Sequence, residues 1–178
     1  PCDFQNLAFC GSQVGNWAGS VWYNWPVSQW ALRVKYHLSA ELYAQIGAYE
    51  QNPSNLDRDN GFKLSGSGTQ GTLLPVELVW TPKLNGLAGE YRAGYYYSSA
   101  KASDVYKDGN GQPAALTGEA YRSSSSKHGL WLGAQQQVTS QASDHSRGLS
   151  LFANVTAHDK KTNAIDNYVQ AGLVYKGL

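Results

Sequence analysis

Trp30-Ala31-Leu32-Arg33-Val34-Lys35-Tyr36-His37-Leu38 alternates without a break. Trp30, Leu32, Val34, Tyr36 and Leu38 fall on one side, and Arg33, Lys35 and His37 on the other. A period of two marks an extended strand with two unlike faces. The same alternation returns six times, over Leu42–Gln51, Thr72–Thr81, Glu90–Ala100, Leu130–Val138, Leu149–His158 and Val169–Lys176, with Gln136 an imperfection on an apolar side. Helical periodicity is scarce. The expectation is an all-β chain of about seven antiparallel strands, each of roughly 9–11 residues, the length a tilted strand needs to cross a bilayer's hydrocarbon layer.

The connections alternate in length. Short ones (Ser39–Glu41, Pro82–Gly89, Ser140–Gly148) interleave with longer ones (Asn52–Gly71, Lys101–Lys127 and the shorter Asp159–Asn163) rich in Gly, Ser, Asn and Asp. Turns at one end and loops at the other match the asymmetry of outer-membrane barrels. Pro75 sits awkwardly inside the third strand, where a missing N–H calls for a strand start or a bulge.

Composition narrows the function classes. The chain has 178 residues, about one domain. Charged residues are 15%, well under the quarter usual in soluble chains, while Tyr 12, Trp 6 and Gly 19 are high and Met is 0. A disordered tail, a coiled coil and a collagen-like chain are excluded. No apolar run is long enough for a transmembrane helix, and no leader pattern follows Pro1. A start at Pro1 with no Met fits a processed chain or a piece of a longer one. Net charge is +1 and the 14 Lys and Arg form no basic stripe, so nucleic acid is not an expected partner. Cys2 and Cys10 suit a disulfide worth roughly 2–3 kcal/mol, and with it an oxidising compartment; two free thiols are the alternative. Neither cysteine has the neighbours of a metal site. His37, His128, His145 and His158 are scattered, and Asp144-His145-Ser146 sets triad residue types side by side in a turn rather than in space. Without a nucleophile elbow, Walker loop, HExxH or EF-hand, neither an enzyme nor a cofactor is expected.

The strands admit two orientations. In a soluble sandwich the apolar face points inward; in a membrane barrel it meets lipid, and the polar face lines a lumen. Three features favour the barrel. The apolar faces carry Leu, Val, Ile, Ala, Tyr and Trp with no Lys or Arg. The polar faces hold Gly47, Gly94, Gly133 and Gly172 beside Gln45, Arg92, Gln135 and Gln170, a set read as a concave wall that leaves room for a channel. Trp30, Tyr36, Trp80, Tyr95 and Tyr175 lie on the apolar face, as interface girdles require.

Several long segments carry a family likeness: Asn16–Tyr36 (NWAGSVWYNWPVSQWALRVKY), Gly47–Asn55 (GAYEQNPSN), Gly71–Trp80 (GTLLPVELVW), Gly89–Lys101 (GEYRAGYYYSSAK) and Ser146–Asn154 (SRGLSLFAN). They resemble the OprB family of carbohydrate-selective porins, over essentially the whole chain. The resemblance implies a Gram-negative outer-membrane barrel of about 16 strands, passing glucose-like mono- and small oligosaccharides by diffusion. Outer-membrane lipid is the implied surroundings, and porins generally suggest a homotrimer. Family members are more than twice as long, so the expectation is the middle segment of a larger porin. Residues 1–178 then form one partial barrel domain: 1–21 a constriction-type loop carrying the cysteine pair, 22–178 membrane strands and loops.

The same likeness makes Pro1–Gly19 the tail of a loop folded into the pore, with Asp3, Gln5 and Asn6 facing the constriction and the disulfide holding its shape; an external loop is the alternative. Sugars need flat apolar rings for their C–H faces and planar polar groups for their hydroxyls. Trp22, Tyr23 and Trp25, at the mouth of the first strand, supply rings. Arg33, Arg92 and Glu77 are the expected polar contacts. Lys35, His37, Gln45, Gln135, Gln170 and Lys176 are expected to line the pore, with Lys35, Lys176 and Glu90 read as cross-strand partners or pore-end charges. A soluble lectin-like β domain using the same Trp and Tyr residues is the alternative function.

Overall fold

The computed structural model describes residues 21–23, 27–61, 64–142 and 144–177. The strands in chain order are β1 (Ala31–His37), β2 (Leu42–Gln51), β3 (Gly71–Trp80), β4 (Lys83–Leu84), β5 (Leu87–Ser98), β6 (Ala102–Asp108), β7 (Tyr121–Ser124), β8 (Lys127–Gln137), β9 (Gly148–His158) and β10 (Asn167–Lys176). Seven of them form one antiparallel meander, β1-β2-β3-β5-β8-β9-β10, with the two-residue β4 paired to β5. Each long strand lies beside the next in sequence, the arrangement that short connections dictate. β2 and its successors in the meander have 10 to 12 residues, while β1 has 7. β1 and β10 are the edges of this sheet and do not pair with each other.

The long connections hold more structure than expected. Residues 52–70 contain two 3-10 turns, Pro53–Leu56 and Arg58–Asn60; the Asn52 side chain caps the first by accepting from the Ser54 N–H. The stretch expected to be one very long loop contains the β6–β7 hairpin and a single helical turn, Ala114–Thr117. The reason lies in two aspartates. Asp104 accepts from the Tyr106 and Lys107 N–H groups, and Asp108 from those of Asn110 and Gln112. Such local side-chain-to-backbone bonds carry no periodic signature.

Pro75 needs neither a strand start nor a bulge. The β2–β3 ladder holds one register from Leu42–Trp80 to Gln51–Gly71 and lapses only opposite Pro75 and Leu74. The β3–β5 ladder runs unbroken past it, with Pro75 opposite Tyr96. The missing donor costs a gap on one side, and the other neighbour holds the strand straight.

The burial pattern settles which face is which. On β3, Leu74, Val76, Leu78 and Trp80 are exposed, while Leu73, Glu77 and Val79 between them are buried; Leu78 is 44% exposed and Glu77 6%. Leu130 and Leu132 are likewise exposed on either side of buried Trp131. Among the described residues no second sheet covers the apolar face, so the soluble sandwich is overturned. Outward aromatics stand toward both ends of the sheet, although Tyr36 and Tyr95, expected in the girdles, lie in the rows of Leu78 and Val76 between them. Trp80 and Tyr91, paired and with ring centroids 5.4 Å apart, lie toward the turns; Tyr97, opposite Leu74 and His128, lies toward the long loops. Aromatics toward both ends of a largely aliphatic face are the outer surface of a membrane barrel.

The inward glycines do not leave open space as expected. Trp131 lies flat over Gly94, Tyr96 over Gly129 and Phe152 over Gly172, each from the paired position across the ladder. A Cβ on Gly94 would come within 2.1 Å of the Trp131 ring. The volume freed by the missing side chain is taken by the neighbour's ring.

Candidate functional site

Directly paired residues share a face, so the registers arrange the inner wall in rows across the strands. One row reads Lys35, Gln45, Glu77, Gly94, Trp131, Thr156, Tyr168. The next, toward the turns, reads His37, Tyr43, Val79, Arg92, Gly133, Asn154, Gln170. Arg33, opposite Gly47, lies one row nearer the long loops. Alternation placed these side chains on one face; pairing makes them neighbours.

Glu77 is the centre. Its Oε1 accepts from the Gln45 amide at 2.8 Å and its Oε2 from the Trp131 indole N–H at 2.7 Å. Arg92 stands 3.6 Å from the same Oε2 and also pairs with Glu90. A buried carboxylate is stable only with this kind of company: a cation beside it and donors on both oxygens. Around the group opens a cavity of about 270 Å³ lined by Trp22, Arg33, Gln45, Gly47, Tyr49, Glu77, Arg92 and Trp131. It offers guanidinium, carboxylate and amide groups beside aromatic faces, a set able to bond hydroxyls and cover C–H surfaces together.

Trp22 sits deeper than the expected mouth of the first strand. Its ring meets Tyr49, Tyr96 and Trp131 edge-on, with centroids 6.4, 5.9 and 6.2 Å away. Val21, Leu73, Tyr96 and Trp131 form one buried apolar cluster with Trp22 packed against it, so Val21 and Trp22 lie on the inner wall. Beneath it the Tyr96 hydroxyl and His158 Nδ1 are 2.8 Å apart. Tyr23 is partly buried, and burial, then the charge of Glu50, pushes its phenol above the usual range.

The structure therefore brings Trp22, Arg33, Gln45, Glu77 and Arg92 around one cavity. Lys35 is on the same wall, its ammonium 3.6 Å from the centre of the Tyr43 ring, and His37 packs on that ring at 5.5 Å. Gln135 faces Glu90 and Phe152, and Lys176 faces Gly148 at the turn end; neither reaches the cavity. Gln170 is inward and buried, in the row of Arg92. Trp25, Asp3, Gln5, Asn6 and the Cys2–Cys10 pair lie outside the described residues. Sequence reasoning placed Trp131 on the polar face but gave it no role. The available signal was a large ring alternating with glycine and glutamine, yet its partner Gly94 is not readable without register.

An apolar wall facing outward, a hydrogen-bonded polar wall facing inward, and turns and loops segregated to opposite ends define a sector of a transmembrane β-barrel of the porin class. The chain belongs to the OprB family of carbohydrate-selective porins, outer-membrane barrels of Gram-negative bacteria, whose model matches residues 1–178. It is 71% identical to Porin B of Pseudomonas aeruginosa over 179 residues, covering 99% of this chain and 39% of that protein. The solved high-pH structure of OprB from Pseudomonas putida matches at 71% identity with a TM-score of 0.93, covering 99% of this chain and 42% of that one. The chain thus spans well under half the length of these relatives.

Proposed function

We propose that this chain forms part of the wall of a water-filled outer-membrane channel that passes glucose-like mono- and small oligosaccharides by passive diffusion, without catalysis or a cofactor. The observation that carries the reading is the inverted burial: leucines and valines outward, Glu77 bonded to Gln45, Trp131 and Arg92 inward beside a cavity. A diffusing sugar exchanges hydration for these fixed partners one hydroxyl at a time, with contacts weak enough to release it. Charge at the cavity is largely paired. Arg92 is engaged by both Glu77 and Glu90, and Arg33 adds one further cation to the lining, so the groups offered are hydrogen-bonding partners for hydroxyls and the site carries at most a small positive charge. Trp22 supplies the ring face, and Tyr23, next in the chain, is a further candidate ring for the sugar. That residues 1–21 fold into the pore, bringing Asp3 and Gln5 to a constriction, is supported by Val21 and Trp22 on the inner wall. The exposed aliphatic band supports contact with lipid. Assembly as a trimer rests on porins generally, and the mass of the detergent-solubilised full-length protein decides it.

The test uses the full-length porin in proteoliposomes. Glucose should swell wild-type vesicles; vesicles impermeable to glucose overturn the reading. Arg92→Ala leaves Glu77 and Glu90 without their shared cation, and should lower glucose entry relative to small cations while heat-modifiable gel mobility stays normal. An unchanged ratio removes Arg92 from the site.

A further inference from the structure

Trp22 brings a ring to the cavity, and that ring is held by packing. Its indole N–H meets no acceptor among the described residues, and its contacts with Tyr49, Tyr96 and Trp131 are all edge-on. Apolar packing is non-directional, so the setting of the ring calls for a polar anchor nearby.

The next residue supplies one. The Tyr23 phenol is hydrogen-bonded to the main chain of Asn52, the residue just beyond β2. Asn52 is 0% exposed, and its side-chain amide is used to capacity. Its Nδ2 donates to Glu50 Oε1 at 2.9 Å and to the Ser67 carbonyl at 3.2 Å. Its Oδ1 accepts from the Ser54 N–H at 3.2 Å and from the Ser54 hydroxyl at 2.7 Å. One side chain thus ties the end of β2 to both the outgoing and the returning limbs of the 52–70 connection. The returning limb passes so close that a Cβ on Gly68, at φ +94°, would stand 2.9 Å from Asn52 Oδ1. Thr69 closes the knot by donating to the same Glu50 oxygen.

A buried polar network with every member matched is rigid and specifies one arrangement. Asn52 lines no part of the cavity, yet Tyr23 and Trp22, adjacent in the chain, link it to one of the cavity's rings. We propose that Asn52 is a positioning residue for sugar passage: its amide fixes the 52–70 connection and its own main chain, which holds Tyr23 and so sets the Trp22 ring at the cavity. The proposal rests on the channel reading, with Trp22 as the ring face.

The test measures glucose flux against glucose concentration for the full-length porin in planar bilayers, with potassium chloride conductance as control. Trp22→Ala should raise the half-saturating glucose concentration about three- to tenfold, the worth of one aromatic contact. Asn52→Ala should raise it about two- to fivefold, and so should Tyr23→Phe, which keeps the ring and removes only the hydroxyl. Salt conductance should stay nearly unchanged. In a Trp22→Ala background neither substitution should add to the rise, because both act through that ring. Should Asn52→Ala fail to fold, Tyr23→Phe decides. A purely structural role would lower resistance to urea and leave half-saturation where it was, and that result overturns the proposal. So does an undiminished rise in the Trp22→Ala background, or a Trp22→Ala porin that behaves as wild type. If Trp22→Ala shifts the curve while the other two do not, the positioning role falls and the channel reading stands. If the wild-type porin passes no glucose, both fall.

Discussion

Strand β3 presents two chemistries on its two sides. Its inner side holds Leu73, Glu77 and Val79, all buried, with Glu77 bonded to partners on β2, β5 and β8. Its outer side holds Leu74, Val76, Leu78 and Trp80, all exposed and none covered by another layer of the described residues. In water, leaving one such aliphatic side chain out of a core forfeits about 1.5–3 kcal/mol, and the same omission recurs on every long strand. Only a solvent that is itself hydrocarbon removes that cost. The comparison teaches that polarity does not choose the inside of this sheet; the surrounding medium does.

The largest expected effect comes from placing one charge on each side. Leu132 is outward, in the middle of the aliphatic band; Gln135 is three residues on, inward and exposed. Leu132→Arg should destabilise the barrel by about 2–4 kcal/mol, the cost of a cation near the bilayer midplane. Gln135→Arg should cost under about 0.5 kcal/mol, since it meets water. Urea unfolding of the full-length porin refolded into vesicles measures both. Equal losses would erase the distinction between the faces.

Both faces of each long strand were legible because a strand's period of two is local information. Leu78 and Glu77 differ in kind, and their alternation with Val76 and Val79 needs no knowledge of neighbours. Pairing is not local. That Gly94 meets Trp131, that Trp131 reaches Glu77, and that Arg92 lies one row from both depends on how strands slide past one another, which turn lengths only loosely restrict. The candidate polar residues were therefore read as a set, while the indole that joins them was missed. Pro75 and the β6–β7 hairpin were misjudged for a related cause: one is rescued by a neighbouring strand, the other by aspartates gripping their own backbone.

Gly94 and Ala93 sharpen the comparison on a smaller scale. A side chain on Gly94 drives into the Trp131 ring, and the indole can yield only by abandoning its 2.7 Å bond to Glu77. Gly94→Val should cost about 1–3 kcal/mol, as overpacking does, and shift tryptophan emission. Ala93→Val, on the outer face, should change stability by less than about 0.5 kcal/mol and leave emission alone. Matching outcomes would mean that the ring does not depend on the missing Cβ.

The smallest effect lies outside the wall, where the β6–β7 hairpin is tied by Asp104. Its Oδ1 accepts from the Lys107 and Tyr106 N–H groups at 2.9 Å each, and its Oδ2 from Arg122 at 3.0 Å. The Lys107 and Tyr106 N–H groups, opposed by burial and assisted by Arg122, bring its carboxyl down to about 2. Because the folded value lies below the ordinary aspartate value of about 3.9, the stabilisation is complete above pH ~4 and fades as pH falls toward 2. Hydrogen exchange across Ala102–Ser124 in the full-length porin should show protection constant from pH 7 to about 4, then declining, while the strands within the bilayer keep theirs. Asp104→Asn should lose that step. A hairpin that loosens already near pH 6 would point to a group other than Asp104.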